Sequence, residues 1–465
     1  MAARATIVDG LVDVAMAWAG GAIPPDVRRI AALHLLDALG VGIAASSLPE
    51  GQSVLAAVRA LGTRSEATAL GAAERLPAPS AALANGALIH ALEYDDTHIG
   101  SVVHASSVVV PAALAAAELA GASGSACSDA IVLGWEVLIR LGLAAPGAFQ
   151  RQGFQTTAAC GPAAAALVAG WLLGLDRDRL AAAVGIGASL AGGVFEFLGD
   201  GSDVKVVYPG WAAHMGLVAA HLAREGVRGP ATALEGRFGL YRTHAAGAEP
   251  DRRVFDDLGT VWHARELSYK AYPCCHYIHA FLDACAELRD GGVAAADVER
   301  VECTVPAEVV PVICEPWERK LRPASAVDAR FSLPYAVASM WLDGAVDVDT
   351  FRPQGIRPEV LAFAARVTYR PEEGMGYPAR FAGRVTCVAR DGSRYTADVP
   401  APSGSPDRPW QEADVRAKWR AAAGRRLPES VLAEVEAWVM RLERQRSVRA
   451  LGRLLRSGLS EGRSR

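Results

Sequence analysis

The sequence predicts a mainly α-helical protein in which a smaller α+β segment interrupts one large helical domain. Apolar residues recur at helical spacing almost without a break from about residue 5 to residue 265. β-branched residues then alternate with polar ones in three stretches, 298–310, 365–372 and 383–400. Helical spacing returns after a Pro/Ser/Gly-rich linker at 401–410. This order is typical of a mixed segment inserted into a helical protein.

The same patterns predict the individual elements. In the long helical part, helices are predicted at 28–46, 81–94, 108–121, 126–143, 158–174, 178–192 and 209–225. In the mixed part, they are predicted at 276–289 and 331–343, beside a hairpin that turns at Asp391-Gly392. Two more helices are predicted at 411–424 and 428–445. The glycines of 185–193 miss the GxGxxG pattern, so they indicate close helix packing and not a dinucleotide site.

Length and composition indicate two domains. The chain has 465 residues, and 51% of them are hydrophobic. A chain of this length is too long to pack around a single hydrophobic core. We assign residues 1–265 and 405–455 to an all-helical domain. Residues 266–404 form an α+β domain, and residues 456–465 form a tail that we expect to fray.

The net charge, the cysteines and the composition argue against several classes of protein. A net charge of -4 argues against nucleic-acid binding, which needs a basic surface. The eight cysteines lack paired CxxC spacing and the N-terminus lacks a clear signal peptide, so we expect a reduced, cytoplasmic protein. The uncharged run 156–175 is long enough for a bilayer, but it contains Pro162 and many small residues. We interpret it as a buried helix and expect no membrane partner.

The stretch HALEYDDTHIGSVVHASS, residues 90–107, concentrates acids and histidines in a predicted loop. Such a loop of about ten residues is longer than most helix–helix connections, and long loops are more often functional. Glu93 would be close to further carboxylates, whose repulsion can give an acid/base group a useful pKa. His98 and His104 are candidate partners for proton transfer.

A purely structural interpretation of the same loop stays open. Asp95 and Asp96 are residues that commonly cap backbone N–H groups, and His90 falls on a helix face that packs in the core. The spacing of His98 and His104 matches no known zinc pattern, so we predict no metal here.

A second cluster, SYKAYPCCHYIHAFLDA, occupies residues 268–284. Cys275 is predicted to open a helix, where a thiolate has a lowered pKa and can act as acid or nucleophile. Alternatively, Cys274 and Cys275 are small buried hydrophobic residues. His276 and His279 are three apart and can share a helix face, but their spacing is not a zinc signature.

Lysine is unusually rare in this chain. Of the 47 basic residues four are lysines, namely Lys205, Lys270, Lys320 and Lys418. A position that keeps lysine needs its compact, titratable ammonium group, which arginine cannot supply. Lys205 precedes Gly210 at a predicted helix start, a natural site for a carboxylate. The alternative is an ordinary surface lysine.

The residues described so far resemble the MmgE/PrpD family, which includes 2-methylcitrate dehydratase, cis-aconitate decarboxylase and iminodisuccinate epimerase. The matching stretches run in family order and are LLDALGVGIA (35–44), HALEYDDTH (90–98) with His104, GFQTTAACGPAAAA (153–166), KVVYPGWAAHMG (205–216), YKAYPCCHYIHAFLDA (269–284) and FSLPYAVA (331–338). The resemblance implies a helical domain built from both chain ends, an α+β lid from the middle, and a homodimer. It also implies a site between domain and lid that holds neither metal nor cofactor.

The resemblance implies roles for residues in both clusters. The family's conserved positions match Glu93, where aspartate is more usual, and Thr97, His104, Lys205, Lys270 and Tyr335. Two positions that often hold histidine in this family are Gln155 and Cys275 here. Both groups differ in chemistry from imidazole, since Gln155 cannot titrate.

We therefore predict a lyase, a dehydratase or decarboxylase, acting on a small di- or tricarboxylate by general acid/base catalysis without metal. The catalytic residues are predicted to be His104 as main acid/base, with Glu93, Thr97, Lys205, Cys275 and Tyr335. The substrate is predicted to contact Lys270, Gln155, Asp96, His279 and Arg330. An isomerase or epimerase of a related acid is the second interpretation, favoured by Gln155 and Cys275. A non-catalytic binding protein is the third.

Overall fold

In the computed structural model, the protein is mainly helical, as predicted, and residues 5–18, 23–352 and 355–462 are described. The helices are α1 Ile7–Ala17, α2 Pro25–Ala45, α3 Pro49–Arg59, α4 Ala78–His90, α5 Ala105–Ala120, α6 Gly124–Leu143, α7 Ala148–Arg151, α8 Thr156–Leu172, α9 Arg177–Ser189, α10 Phe197–Asp200, α11 Val204–Arg224, α12 Leu240–His244, α13 His279–Asp290, α14 Val310–Ile313, α15 Trp317–Leu321, α16 Ala326–Arg330, α17 Leu333–Asp343, α18 Pro358–Ala364, α19 Glu412–Ala423, α20 Glu429–Val439 and α21 Arg449–Gly462. The strands are β1 Ala67–Thr68, β2 Arg75–Leu76, β3 Thr97–His98, β4 Leu267–Ser268, β5 Val298–Pro306, β6 Val367–Glu372, β7 Gly383–Ala389 and β8 Arg394–Val399.

The centre of the helical part is formed by α8 and α11, which pack against each other and against α4, α5 and α9. The run that includes α8 is apolar because this helix is surrounded by other helices, and its residues 156–170 are buried. This helical core is drawn from residues 7–267 and 419–459, with Val348. Within the described residues no single helix is both long and apolar enough to cross a bilayer, whereas α2 and α3, bent by 92°, pass that test as a pair.

A second hydrophobic core is drawn from residues 274–399, with Phe197. Its sheet has the order β6-β5-β7-β8, in which β5 pairs parallel to β6 and antiparallel to β7. The β7–β8 hairpin encloses Asp391-Gly392, as the sequence predicts, and α13 packs against both strands. The two cores follow the predicted division of the chain, whose domain boundaries stay predictions.

Several predicted element boundaries were wrong, and the helices predicted at 81–94 and 428–445, for example, end at His90 and Val439. The helix expected from 209 begins at Val204, so Lys205 lies in the first turn of α11 and Gly210 lies inside it. The expected frayed tail is instead helical to Gly462, because Leu455 and Leu459 lie one turn apart and are buried. Residues 463–465 of that tail lie outside the described residues.

Glycines set the closest approaches between the central helices. A Cβ atom built on Gly86 of α4 would lie 2.5 Å from Cα of Gly210 in α11. One built on Gly210 would lie 2.2 Å from the carbonyl oxygen of Leu83. The predicted packing role of the 185–193 glycines is confirmed by Gly187, whose Cβ would lie 2.5 Å from the carbonyl oxygen of Pro162. The contact between α4 and α11 matters for function because α11 carries Lys205 and α4 is followed by the loop that contains Glu93.

We predict that Gly210→Ala lowers the free energy of unfolding by about 1–3 kcal/mol, because the added methyl group forces α4 and α11 apart. The denaturant midpoint at constant m-value measures the change. Gly10→Ala in α1 is the matched control, since its Cβ would meet nothing within 4 Å. This control should raise stability by up to about 1 kcal/mol. Equal midpoints for the two variants would contradict the close contact.

Candidate active site

A cavity of about 490 Å³ lies between the segments that form the two cores. Its walls are formed by Glu93, Thr97, Val102, His104, Gly147, Gln150, Arg151, Gln155, Phe195, Leu198, Lys205, Cys275, His276, Tyr277, Glu308, Pro311, Val312, Phe331, Tyr377, Pro378 and Phe381. Six of the predicted site residues are therefore brought together here, namely Glu93, Thr97, His104, Gln155, Lys205 and Cys275.

The acidic loop connects α4 to α5 and covers residues 91–104, somewhat longer than predicted. Its strand β3 pairs with β4, Thr97 opposite Ser268, and this pairing brings Lys270 beside the loop. Glu93 has a positive φ of 51°, a conformation that is costly for a residue with a Cβ. The cost is offset by the ion pairs that this carboxylate makes.

Two carboxylates and two ammonium groups form a buried charge cluster, which consists of Glu93, Asp95, Lys205 and Lys270. Lys205 forms an ion pair with Glu93. Lys270 Nζ lies 3.5 Å from Glu93 Oε2 and 3.6 Å from Asp95 Oδ1. Burial opposes ionisation of both acids, but the neighbouring cations outweigh it and lower the pKa of Glu93 and of Asp95. The cluster is electrically balanced, which allows it to remain charged inside the protein.

His90 connects the two ends of the charge cluster. Lys205 Nζ lies 2.8 Å from His90 Nε2, and His90 Nδ1 lies 2.8 Å from Asp95 Oδ2. An ammonium group can only donate, so Nε2 accepts and Nδ1 carries the proton that is donated to Asp95. The structural interpretation that the sequence left open placed His90 in the core and made Asp95 a backbone cap. His90 is buried, as that interpretation has it, but both side chains also belong to a relay of hydrogen bonds.

His104 occupies the position of an acid/base group. Its Nδ1 lies 3.4 Å from Asp95 Oδ2 and 3.5 Å from Thr97 Oγ1, and its backbone N–H donates to Thr157 Oγ1 at 2.9 Å. Burial lowers the pKa of His104 to about 4, although Asp95 opposes this shift, so the imidazole is neutral near pH 7. With Nδ1 directed to Asp95, the nitrogen Nε2 is left to accept a proton from a bound molecule.

The structure favours the second interpretation of Cys275, a small buried side chain, over a reactive thiolate. Cys275 precedes a short 3-10 helix, His276–Ile278, whereas the α-helix itself begins at His279. Burial raises the pKa of Cys275 to about 11, because the thiolate form would be desolvated. The side chain still lines the cavity, where it is a neutral thiol.

Two neutral side chains in the cavity wall lack hydrogen-bond partners among the described residues. Both amide atoms of Gln155 and both ring nitrogens of His276 are buried and unpartnered. Burial lowers the pKa of His276 well below its ordinary value, so this ring is also neutral. Unpaired buried polar groups are costly, which makes these two side chains candidates for contacts with a ligand. His276 was not among the predicted site residues, although its place in the second cluster was the available signal.

Two predicted residues lie away from the cavity. The Tyr335 hydroxyl is within hydrogen-bonding distance of the carbonyl oxygens of Thr350 and Gly355, at 2.8 and 2.9 Å, so it stabilises a neighbouring loop. Arg330 donates to Glu50 Oε1 at 3.2 Å and lines a different cavity of about 780 Å³ beside α3 and α11. Neither side chain is part of the wall of the cavity that contains His104.

Asp96 and His279 also have structural partners. Asp96 accepts from the backbone N–H of Ser106 at 3.0 Å and pairs with His34 Nδ1 at 2.9 Å, which ties the loop to the first turn of α5. His279 Nε2 donates to the Cys274 carbonyl oxygen at 3.3 Å. The predicted substrate contacts of Asp96 and His279 are therefore corrected to roles in positioning the loop and the start of α13. Lys270 lies just behind the cavity wall, in contact with Glu93.

All four lysines are buried, with exposures of 5% for Lys205, 0% for Lys270, 6% for Lys320 and 5% for Lys418. Lys418 pairs with Asp37 at 2.9 Å, and Lys320 donates to the Val312 carbonyl oxygen at 2.8 Å. The interpretation of Lys205 as an ordinary surface lysine is thus excluded, and each lysine serves an interior site that takes a compact cation.

His90, Asp95 and His104 place possible metal-ligand atoms within 4.8 Å of one another. Lys205 Nζ and Lys270 Nζ lie within 3.6 Å of this group, so a divalent cation would meet two ammonium charges at close range. The donors of His90 and Asp95 are also engaged by these lysines and by each other. These residues do not suit a divalent cation, and a metal-free site stays our prediction.

A second group with ligand-type atoms consists of His98, His263 and Glu266. The backbone N–H of Ser101 donates to His98 Nδ1 at 3.2 Å, so Nε2 carries the proton and donates to Glu266 at 3.0 Å. A protonated Nε2 has no lone pair for a metal. His98, which the sequence suggested for proton transfer, therefore anchors the loop from outside the cavity.

Burial of His104 makes the stability of the protein depend on pH. Its folded pKa of about 4 lies below the ordinary value of 6.5, so between these values the unfolded chain binds a proton that the folded chain does not. Stability from the neutral imidazole is complete above pH 6.5 and is lost as the pH falls toward 4. The acids Glu93 and Asp95, whose pKa values are lowered, contribute stability that is lost only below about pH 4.5.

We predict that His104→Gln makes the drop in unfolding free energy between pH 7 and pH 5 smaller by about 2 kcal/mol, because one proton-binding site is removed from the unfolded chain. Urea unfolding at both pH values measures the drop. Tyr335→Phe is the control, since it removes a buried hydroxyl that does not titrate in this range and should leave the drop unchanged. An unaltered drop in His104→Gln would contradict a buried neutral imidazole.

Comparison with known proteins confirms the family resemblance over nearly the whole chain. The MmgE/PrpD N-terminal domain matches residues 10–253, and the MmgE/PrpD C-terminal domain matches residues 272–443. A cis-aconitate decarboxylase from Aspergillus terreus is 29% identical over 456 residues, which cover 93% of this chain and 92% of the relative. The cis-aconitate decarboxylase-like protein oryM from Aspergillus oryzae is 28% identical (92% and 93% covered), and the cis-aconitate decarboxylase from Mus musculus is 26% identical (91% and 88% covered). The chain belongs to the MmgE/PrpD family.

Proposed function

We propose that this protein is a lyase that removes CO2 or water from a carboxylic acid by general acid/base catalysis, without a metal ion. The observation that carries the proposal is the position of His104, a neutral imidazole in the cavity wall whose Nδ1 faces Asp95. A neutral histidine oriented by a carboxylate is the usual arrangement of a general base. Relatives named as cis-aconitate decarboxylases favour loss of CO2 as the first reaction to test.

Lys205 is the group that binds the substrate carboxylate in this proposal. Its ammonium group lies in the cavity wall, and it donates to both Glu93 and His90. An ammonium group has three donors, so one remains for the substrate. Lys270, behind Glu93, keeps that acid ionised and in place. The substrate carboxylate would therefore be held beside His104 in a partly dry cavity.

In the decarboxylation, the bond between the carboxylate carbon and its neighbour breaks and CO2 leaves. The electron pair stays on the carbon framework of the substrate, and a proton from His104 completes a new C–H bond. His104 first takes this proton from solvent, which the nearby substrate carboxylate favours by stabilising the imidazolium form. Asp95 and Thr97 hold the ring in position at both protonation states.

In the dehydration, neutral His104 takes the proton from the carbon next to the carboxylate. The hydroxyl group on the adjacent carbon then leaves with the electron pair of its C–O bond, and His104 returns the proton to it as water forms. Both reactions use the same base, the same carboxylate contact at Lys205 and the same relay through Asp95. They differ in which group departs, so they are distinguished by the mass of the product.

We also propose that the protein is a homodimer that covers an exposed apolar stripe on α11. This stripe consists of Val204, Trp211 and Leu222, which are 46%, 49% and 38% exposed. At 100° per residue they fall on one face of the helix. Exposed apolar faces of this kind are typical of subunit interfaces. The partner would thus stabilise the helix that carries Lys205.

We predict that His104→Ala lowers turnover by at least about 100-fold, because it removes the proton-transfer group. A panel of carboxylic acids is incubated with the protein, and mass spectrometry detects products lighter by 44 or 18 mass units. His221→Ala, on α11 outside the cavity, is the control and should retain full turnover. Turnover of His104→Ala within about tenfold of wild type would contradict the assignment.

Two further results of the same assay would change the proposal. Exchange of a substrate hydrogen in D2O without a lighter product would identify an epimerase, the second interpretation of the sequence. Turnover that is lost after dialysis against EDTA and restored by a divalent ion would contradict the metal-independent mechanism.

We predict that Trp211→Asp converts a dimer into a monomer of 48.7 kDa, because a charge in the interface is costly to desolvate. Light scattering on a sizing column measures the mass. Leu61→Asp is the control, since Leu61 is also exposed, at 59%, but lies at the end of α3. A wild-type mass of 48.7 kDa, or a dimeric Trp211→Asp variant, would contradict the interface.

A further inference from the structure

One wall of the active-site cavity is aromatic. Tyr277, Tyr377 and Phe381 contact each other with ring centroids 4.7 to 6.3 Å apart, and we call this group the aromatic wall. The ring of His276 lies 5.3 Å from that of Phe381, which joins the aromatic wall to the polar part of the cavity. Such a wall contributes to binding by burying apolar surface of a ligand.

The hydroxyl groups of the two tyrosines in the aromatic wall contact each other. The Tyr277 and Tyr377 hydroxyl oxygens lie 3.4 Å apart, so one donates to the other. Burial raises the pKa of both phenols, which keeps them protonated. One of the two hydroxyls therefore uses its proton within the pair, and the two phenols carry no charge.

The charged side chains that line the cavity provide few cations to balance a highly charged substrate. The lining cations are Lys205 and Arg151, and the lining acids are Glu93 and Glu308. Lys205 is paired with Glu93, while Arg151 and Glu308 are exposed at the surface. The lining side chains thus sum to zero charge, and a tricarboxylate would bring three negative charges into a partly dry cavity without matching cations.

The remaining polar groups of the wall are neutral. Gln155 and His276 are 4% exposed each, and their unpartnered atoms can donate or accept hydrogen bonds but carry no charge. They can form hydrogen bonds with a hydroxyl, a carbonyl or the second oxygen of the bound carboxylate. They are less suited to balancing a further ionised group.

We infer that the substrate is a mono- or dicarboxylate with an uncharged alkyl or aryl substituent that packs on the aromatic wall, and that it is not a tricarboxylate. This inference rests on the proposed function, because it assumes that the carboxylate lies between Lys205 and His104. The substituent then extends past His276 toward Tyr277, Tyr377 and Phe381. The sequence predicted a di- or tricarboxylate. The structure has the aromatic wall where a tricarboxylate would need a site for its third carboxylate.

Binding of four unreactive succinates tests this inference by calorimetry. The probes are succinate, benzylsuccinate, butylsuccinate and propane-1,2,3-tricarboxylate, which share one framework and differ in the substituent. We expect benzylsuccinate and butylsuccinate to bind at least tenfold more tightly than the tricarboxylate. Tyr377→Ser should weaken the binding of benzylsuccinate and butylsuccinate more than that of succinate or the tricarboxylate, because it removes ring surface from the aromatic wall.

Tyr377→Phe is the matched control. It keeps the ring and removes the hydroxyl, so the preference should persist, and thermal unfolding of both variants verifies that they are folded. Tighter binding of the tricarboxylate, no detectable binding of benzylsuccinate at millimolar concentration, or an equal loss of succinate affinity in Tyr377→Ser would overturn the inference.

These measurements need no turnover, so they are independent of the lyase assay. If wild type gave no lighter product from any carboxylic acid while the preference for benzylsuccinate persisted, the proposed function would fail and the binding preference would stand. If wild type released CO2 from tricarboxylates and bound them best, the lyase would stand and the inferred substrate class would be wrong.

Discussion

The structure depends on keeping four charges ionised in the interior of the protein. Glu93, Asp95, Lys205 and Lys270 are all at least 94% buried, and an isolated charge at such a position would cost several kcal/mol. Each charge is tolerated because a partner of opposite sign lies within 3.6 Å. These four residues come from three separate parts of the chain, so the fold must hold those parts in fixed relation. Helix packing, strand pairing and loop conformation all serve this requirement.

Each of the three segments is positioned by a different device. Lys205 is placed by α11, which approaches α4 closely because Gly86 and Gly210 have no side chains at the crossing. Lys270 is placed by the short pairing of β3 with β4. Glu93 is held in a left-handed conformation at the end of α4, a strain that its ion pairs compensate. The same arrangement orients His104, since Asp95 belongs both to the charge cluster and to the imidazole contact.

The charge cluster is also the reason for our prediction of a metal-free site. Its acids and histidines are of the types that bind metal ions, but Lys205 Nζ and Lys270 Nζ lie within 3.6 Å of them and would repel a cation. Away from the cluster, the cavity becomes apolar and its polar groups become neutral. The site thus combines one region suited to proton transfer with another suited to hydrocarbon, and each follows from the local residues.

The sequence by itself determined the helical class, most helix positions and the β7–β8 hairpin, because these follow from periodicity and turn chemistry. The scarcity of lysine suggested a special role for Lys205, but an ordinary surface lysine stayed an alternative until the structure showed this side chain to be buried. The sequence also singled out six of the residues that line the cavity, through their resemblance to a known family. It could not assign Asp95 and Asp96 to their separate roles. These neighbours differ in their surroundings, since one faces His90 and Lys270 while the other caps α5.

Only the tertiary structure decided the remaining roles. It placed Tyr335 and Arg330 away from the cavity, brought His276 into it, and made Cys275 a neutral thiol, because burial and distant partners control all of these. It likewise assembled the aromatic wall from Tyr277, Tyr377 and Phe381, which are up to 104 positions apart in the sequence. Contacts between residues so far apart depend on how the chain packs, and local sequence patterns carry no record of that packing.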